Sequence, residues 1–402
     1  MKIIYINHSN NRDGSTVALY RIVVAMQEKG HEVFVICSDK EGSFIDKLNE
    51  IGVKHYRHRI SLTVYPNVKN PLKWIKRTFG YMYRAYKERK FIEKVIDEVK
   101  PDIIHTNVGP LSQAFDVCKK KGIPHVWHHR EYQDLDFDMH FFPTWRTFIR
   151  KINDENNYNI STTKDMFEYR NLRKDRDIVV YDGVFTLKQA EELKNIKEKE
   201  NYVLFAGRIE PAKGAYDLIS VFEKFHETFP ETKLLLAGSY SKQSNYYKKC
   251  SKFVIQHKME DYVQFLGSRD DIYNLMAMAK MLVVPSRFEG FGFITAEAMF
   301  NHCVVVGHNT AGTKEQFDNG FAEVGREIGY RFDKYEEMLG CMIKAMNDDT
   351  SRMIEDAYYT VVKLHNVERN INKIEELYYR ILNKSQRSVC PCDPCDPKGD
   401  TQ

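Results

Sequence analysis

Two glutamates, two glycines and two cations carry most of the chemistry this sequence can do. Glu289 and Glu297 lie eight positions apart in SRFEGFGFITAEAM, with Gly290 and Gly292 just after the first and a run of helix formers around the second. Within one helix that spacing would separate them by about 12 Å. The glycines instead place Glu289 in a loop and Glu297 in the first turns of the helix that follows. Gly290 and Gly292 would let backbone N–H groups approach a ligand closely, and a helix start favours an anion such as a phosphate. Two carboxylates beside an anion site make sense for a ligand that also offers hydroxyls, and a sugar nucleotide offers both. The alternative is a tight strand-to-helix turn with solvated glutamates. A second stretch, GRIEPAKG at 207–214, also has a glycine at each end and carries Arg208 and Lys213. Two cations there suit a departing diphosphate, because charge-assisted hydrogen bonds strengthen as negative charge develops. Their alternative is a surface pair.

Both stretches follow a strand-like run, Met281–Pro285 and Tyr202–Ala206 respectively. Similar short apolar runs recur along the chain at Ile3–Asn7, Glu32–Ser38, Asp102–Asn107, His125–His129, Ile160–Thr162 and Ile178–Tyr181. They recur again at Lys233–Ala237, Val263–Leu266 and Cys303–Gly307. Helical patterns such as Thr16–Lys29 and Phe91–Lys100 lie between them. Apolar strands alternating with helices predict parallel sheets covered on both faces. The pattern restarts after the highly charged stretch within Gly183–Asn201, which suits a linker or insertion next to an interdomain hinge. The fold class is therefore α/β, with two doubly wound Rossmann-like lobes facing a central cleft. The expected divisions are a first lobe at 1–182, a second at 183–365, a C-terminal helix at 366–386 returning to the first lobe, and a disordered tail at 387–402. Ligands of such sheets bind beyond the carboxyl ends of the strands, where the two motifs fall.

Composition narrows the class further. The 402 residues are 43% hydrophobic and 29% charged, with 21 Gly and 12 Pro, which excludes collagen-like, coiled-coil and disordered chains. No apolar stretch approaches the roughly 20 residues of a membrane helix. The N-terminal run is read as a first strand and not a signal peptide, which points to a cytoplasmic protein. Cys37, Cys118, Cys250, Cys303 and Cys341 are expected as buried thiols, and Cys390, Cys392 and Cys395 fall in the Pro-rich tail. No G-x-G-x-x-G follows the first strand, and no P-loop motif is present.

Together the two motif stretches resemble the retaining glycosyltransferases of the GT-B fold, specifically glycosyltransferase family 4. The E-x7-E element stands here as Glu289 and Glu297 in EGFG-x4-EAM, and Ala311–Glu315 resembles the family's GGxxE turn with Ala at its first position. The resemblance implies that Glu289 contacts donor-sugar hydroxyls, Glu297 the nucleotide ribose, and the backbone of Gly290, Phe291, Gly292 and Phe293 the sugar and diphosphate. Arg208 and Lys213 match the pair that holds the diphosphate. Leu266 and Gly267 fall in the strand and loop whose backbone reads the base. In the first half, GHEV at 30–33 resembles the start of the second strand. Gly14 and Ser15 occupy the place of the glycine-rich loop after the first strand, with Ser15 replacing a glycine. His128 matches a histidine near the reacting carbon, with His129 and Arg130 beside it on the acceptor side. Asp182-Gly183-Val184 stands where the family usually has Asn-Gly-Val. The implied chemistry is sugar transfer with retention, without an essential metal or other cofactor. The catalytic set is Glu289, His128, Arg208 and Lys213. A sugar-nucleotide epimerase of the same architecture and a non-catalytic sugar-nucleotide-binding subunit are the alternatives.

Two first-half features concern partners. Residues 1–180 carry 31 basic and 23 acidic residues, a net of +8, leaving −4 for the remainder. Much of the excess lies in 69–94, where nine cations face Glu88 and Glu93 among Trp74, Phe79, Tyr81, Tyr83, Tyr86 and Phe91. Such a helix either packs its aromatics on the lobe or lies on an anionic membrane, each cation adding up to about 1 kcal/mol. The functional reading favoured here is a glycan or lipid-linked acceptor near a membrane, with no nucleic acid. Asp134, Asp136 and Asp138 resemble the acidic metal motif of the other major glycosyltransferase fold. They are read as a solvated acidic loop near the acceptor cleft.

Overall fold

A computed structural model describes residues 1–11, 13–66, 71–192 and 198–387. The expected tail with its three cysteines, Lys69 of the cationic segment and 193–197 of the linker lie outside the described residues. In chain order the strands are β1 (Lys2–Ile6), β2 (Glu32–Cys37), β3 (His55–Arg57), β4 (Val64–Pro66), β5 (Ile103–Thr106), β6 (His125–His129), β7 (Met139–Phe141), β8 (Asn157–Ser161) and β9 (Ile178–Val179). The second half adds β10 (Tyr202–Ala206), β11 (Lys233–Ala237), β12 (Val263–Gly267), β13 (Met281–Val284), β14 (Val304–His308) and β15 (Tyr330–Phe332).

Strands β3-β2-β1-β5-β6-β8-β9 form one sheet and β12-β11-β10-β13-β14-β15 the other. All pairings within both sheets are parallel. Strands β4 and β7 form a separate antiparallel ribbon. Alternation along β1 shows why each sheet needs cover on both sides. Ile3 and Tyr5 enter one core and Ile4 and Ile6 another. Val203 and Phe205 of β10 likewise face one core while Tyr202 and Leu204 face the other. Two doubly wound lobes are thus present, as the strand–helix alternation requires. Cys37, Cys118, Cys250 and Cys303 are free and buried, and Cys341 is free and half-buried.

Strand order reverses beside β1 in the first sheet and beside β10 in the second. The crevice of each lobe therefore opens above the loops following β1 and β5, or β10 and β13. The helix Val367–Arg387 crosses back to the first lobe, where Ile371, Ile374, Leu377, Tyr378 and Ile381 join the core beneath β1 and β2. Outgoing and returning chain run side by side. Val184 N–H donates to His365 O at 2.9 Å and Val367 N–H to Phe185 O at 3.0 Å. Gly183 permits this contact, since a Cβ there would lie 2.5 Å from Val367 Cα.

Two local expectations are corrected. Strand β8 begins at Asn157, earlier than the apolar run, because the buried amides of Asn157 and Asn159 both donate to Ile152 O at 2.8 Å. The Phe91–Lys100 pattern is only the end of a single helix, Pro71–Val99, which includes most of the cationic segment. Strand β6 runs through His129, as the apolar run His125–His129 predicts, so His128 and His129 are strand residues.

Candidate active site

Loop geometry at the switch point of the second lobe brings the two motifs together. Gly214 has φ +72°, and a Cβ there would stand 2.3 Å from Pro285 O. The loop after β10 is thus pressed against the end of β13, and Arg287 N–H donates to Ala212 O at 3.0 Å. Lys213 Nζ consequently reaches Glu289 Oε1 at 2.7 Å, with both side chains mostly buried. Gly292, at φ +82°, starts the helix Phe293–Phe300, which carries Glu297 on its second turn. Glu297 Oε1 accepts from the Tyr273 hydroxyl at 3.0 Å. Gly312 packs over this loop, its N–H donating to Glu289 O at 2.8 Å. Arg208 is half-exposed and its Nε lies 2.7 Å from Glu210 Oε1. Leu266 and Gly267 end β12 at the same rim, where Gly238 N–H donates to Gly267 O at 2.8 Å.

The first lobe closes directly on this loop. A Cβ on Gly290 would fall 1.8 Å from Arg130 O and 3.4 Å from Glu131 Cα, so the two backbones touch. Gly14, at the start of the helix Gly14–Glu28, leaves room for the Phe293 ring, which would lie 3.1 Å from a Cβ. Ser15 is buried and its hydroxyl donates to Asp13 Oδ1 at 2.8 Å. Burial opposes the Asp13 charge, but hydrogen bonds from Ser9, Ser15 and Thr16 hold its carboxyl below the usual range. Across the cleft, Glu315 accepts from Lys164 N–H at 2.7 Å and Asp165 N–H at 3.0 Å.

Several first-lobe residues differ from their expected roles. The His128 ring is fully buried, with Nδ1 3.2 Å from His105 Nε2 and 3.3 Å from an Arg130 guanidinium nitrogen. Burial, then the charge on Arg130, keep it neutral far below the ordinary histidine range. His129 is the histidine expected on the acceptor side. It stacks on Trp127 at the opposite face of β6, and Nε2 pairs with Asn159 Oδ1 at 3.0 Å. Burial pushes its pKa down to about 3. Arg130, also expected there, has its buried guanidinium ion-paired with Asp182 and bonded to Asn107 Oδ1 at 3.0 Å. That pair accounts for aspartate at 182, since a buried cation there requires a carboxylate. Asp134 and Asp136 are only half-buried and bonded within the lobe. Asp134 Oδ2 accepts from the Tyr169 hydroxyl at 2.5 Å and Asp136 Oδ2 from Tyr132 N–H at 3.0 Å.

One functional candidate escaped the sequence reading. Glu131 follows β6 immediately, abuts Gly290, and accepts from Gln133 Nε2 at 2.5 Å. Burial raises its pKa to about 7, the charges of Asp136 and Asp13 add to the shift, and Gln133 and Lys213 oppose it. A perturbed carboxyl in a cleft is a common mark of function. Its signal in the sequence was position, a carboxylate directly after a central strand.

Outside the cleft, the helix Pro71–Val99 presents Leu72, Ile75, Phe79, Met82, Tyr83 and Tyr86 to solvent. Their spacing of three and four makes one stripe, while Ala85, Ile92, Val95, Ile96 and Val99 bury a different face. Among the described residues, no helix is long and apolar enough to cross a membrane.

Comparison with known proteins agrees with this geometry. Residues 188–359 match the family model for glycosyl transferases group 1, and residues 12–159 that for glycosyltransferase family 4. A glycosyltransferase of Methanocaldococcus jannaschii, itself uncharacterized, is 29% identical over 65% of this chain and 71% of its own. The alpha-monoglucosyldiacylglycerol synthase of Acholeplasma laidlawii is 22% identical over 94% of this chain and 96% of its own. Among solved structures, Anabaena HepE in complex with UDP and glucose superposes with a TM-score of 0.71 at 19% identity, covering 94% of this chain and 98% of that one. With both family models matched on the two lobes of this fold, the chain belongs to the GT-B glycosyltransferases of the family 4 kind.

Proposed function

We propose that the protein transfers a sugar from a nucleoside diphosphate donor to a glycan or lipid-linked acceptor, with retention of anomeric configuration and without an essential metal. The observation that carries this reading is the Lys213–Glu289 pair at the switch point of the second lobe. Before donor arrives, Glu289 neutralises the ammonium group. An incoming diphosphate competes for Lys213 and Arg208, which releases the carboxylate for sugar hydroxyls. Positive charge from these two side chains then stabilises the departing diphosphate as the anomeric carbon becomes oxocarbenium-like. In this reading Glu297 meets the ribose and the Gly290–Phe293 backbone meets the sugar and diphosphate. The UDP and glucose bound by the HepE structure make UDP-glucose the first donor to try. Thermal stabilisation by UDP-, GDP-, ADP- and dTDP-sugars identifies the donor by mass action. Product analysis then tests the reaction. Conversion of donor to an epimer without acceptor, or no binding of any nucleotide sugar, would overturn the reading.

The acceptor side includes the helix Pro71–Val99. An exposed apolar stripe flanked by Lys73, Lys76, Arg77 and Lys87 suits the surface of an anionic bilayer, and a lipid is named as product in the Acholeplasma relative. Co-sedimentation with phosphatidylglycerol vesicles should exceed that with phosphatidylcholine and fall in F79E/Y83E. Equal sedimentation of that variant would remove the membrane role.

A further inference from the structure

Behind His128 runs a buried chain of hydrogen-bonding groups that reaches the C-terminal helix. The Tyr5 hydroxyl lies 3.2 Å from the Tyr378 hydroxyl, which lies 2.5 Å from His105 Nδ1. His105 Nε2 lies 3.2 Å from His128 Nδ1, and an Arg130 guanidinium nitrogen is 3.3 Å from the same atom. Tyr5, His105, His128 and Tyr378 are all fully buried. We propose that His105 and Tyr378 are positioning residues that hold the proton of His128 on Nε2, making His128 a neutral hydrogen-bond donor and not a base.

The direction of the chain follows from what each group can do. A guanidinium only donates, so His128 Nδ1 must be an acceptor. The ring, being neutral, carries its hydrogen on Nε2. His105 Nε2 meets the same lone pair and can join only as a donor, which leaves His105 Nδ1 to accept from Tyr378. Tyr378 also lies within donor reach of the Tyr5 hydroxyl at 3.2 Å, but its single proton goes to the shorter contact, 2.5 Å from His105 Nδ1. Reversing the His105–His128 link would set a ring N–H against the Arg130 guanidinium, and reversing the Tyr378–His105 link alone would set two ring lone pairs face to face. Burial and the charge on Arg130 keep both imidazoles neutral, consistent with this arrangement. At the far end His128 Nε2 is buried with no partner among the described residues. A buried donor left unsatisfied is costly until an acceptor arrives. The inference rests on the proposed function in assigning that acceptor to an oxygen of the sugar nucleotide.

Nitrogen spectra of the full-length chain labelled with 15N-histidine test the assignment, with the His128 signals identified by their loss in H128Q. The expected wild-type spectrum is the Nε2–H tautomer across pH 6–8. H105Q can still accept from Tyr378 and donate to His128, so it should retain the tautomer and turnover. H105L and Y378F should broaden or mix the tautomers and lower kcat at least about tenfold, with the donor KM within about twofold. Turnover is followed with whichever of UDP-, GDP-, ADP- and dTDP-glucose stabilises the wild type. A proton on Nδ1 in the wild type, or unchanged spectra in folded Y378F, overturns the inference. The spectrum decides it even for a chain that transfers no sugar, an outcome that would sink the proposed function alone. Where H105L fails to fold, Y378F and H105Q carry the test.

Discussion

Lys213 Nζ and Glu289 Oε1 stand 2.7 Å apart although their residues are 76 positions apart in the chain. The contact exists because the loops after β10 and β13 are clamped at Gly214 and Arg287. E289Q and K213A should each lower sugar transfer by about a hundredfold or more. Melting temperature should change little, since a partly exposed pair contributes roughly 1 kcal/mol or less. Initial rates at sub-saturating donor, beside calorimetric melting, check both halves of the expectation.

Backbone contact at Gly290 leaves no space for a side chain. G290A sets a methyl group against Arg130 O, and neither partner is a flexible side chain. A loss of about 1–3 kcal/mol with strongly reduced turnover is expected. Gly340 provides the contrast, being exposed within the helix Met338–Asn347 with nothing within 4 Å of a Cβ. G340A should stabilise by about 0.5–1 kcal/mol. Urea denaturation of the two variants separates local strain from helix propensity.

Glu131 should make stability fall as pH rises. Its folded pKa of about 7 lies above the ordinary glutamate value near 4.5, so the folded state binds more protons than the unfolded one between those values. Below about pH 4.5 both states are protonated and the group contributes no difference. Through pH 4.5–7 the unfolded state ionises first, and the native state loses relative stability, by up to roughly 3 kcal/mol above pH 7. Of the carboxyls facing the group, Asp13 is held below the usual range and titrates beneath this window, whereas burial raises Asp136 to about 6, inside it, so D136N serves as the control. E131Q should therefore equal wild type at pH 4.5 and exceed it at pH 8 in chemical denaturation. Parallel curves at both pH values would remove Glu131 as the source.

Removing Asp182 leaves the Arg130 guanidinium buried without its carboxylate. D182A should cost about 3–5 kcal/mol, whereas D182N, retaining an acceptor, should cost less. Midpoints in urea at neutral pH rank the three proteins.

Much of the second lobe was readable in the sequence because its chemistry is local. EGFG and GRxxxxKG follow apolar strands directly, and loops after parallel strands converge at a switch point whatever the rest of the chain does. The first lobe was harder, for a physical reason. Its polar residues on and just after β6 are satisfied by partners distant in sequence, as His129 is by Asn159 and Arg130 by Asp182. A buried ion pair between positions 130 and 182 leaves no local pattern. Glu131 was passed over because a single carboxylate after a strand has no spacing to test. The cationic segment was recognised by composition, but only the fold separates the face buried on the lobe from the exposed stripe.

Because the chain leaves the first lobe at Gly183 and re-enters it at Val367, the two halves are joined by a double tether instead of a single flexible strand. Paired tethers resist twist while permitting bending about one axis, so opening and shutting should retain the register between Gly290 and Arg130 on every cycle. The same layout makes the final helix a structural debt of the opposite half. Trimming the chain before Tyr378 would expose the underside of β1 and β2, and should unfold the amino-terminal lobe while sparing the carboxy-terminal one.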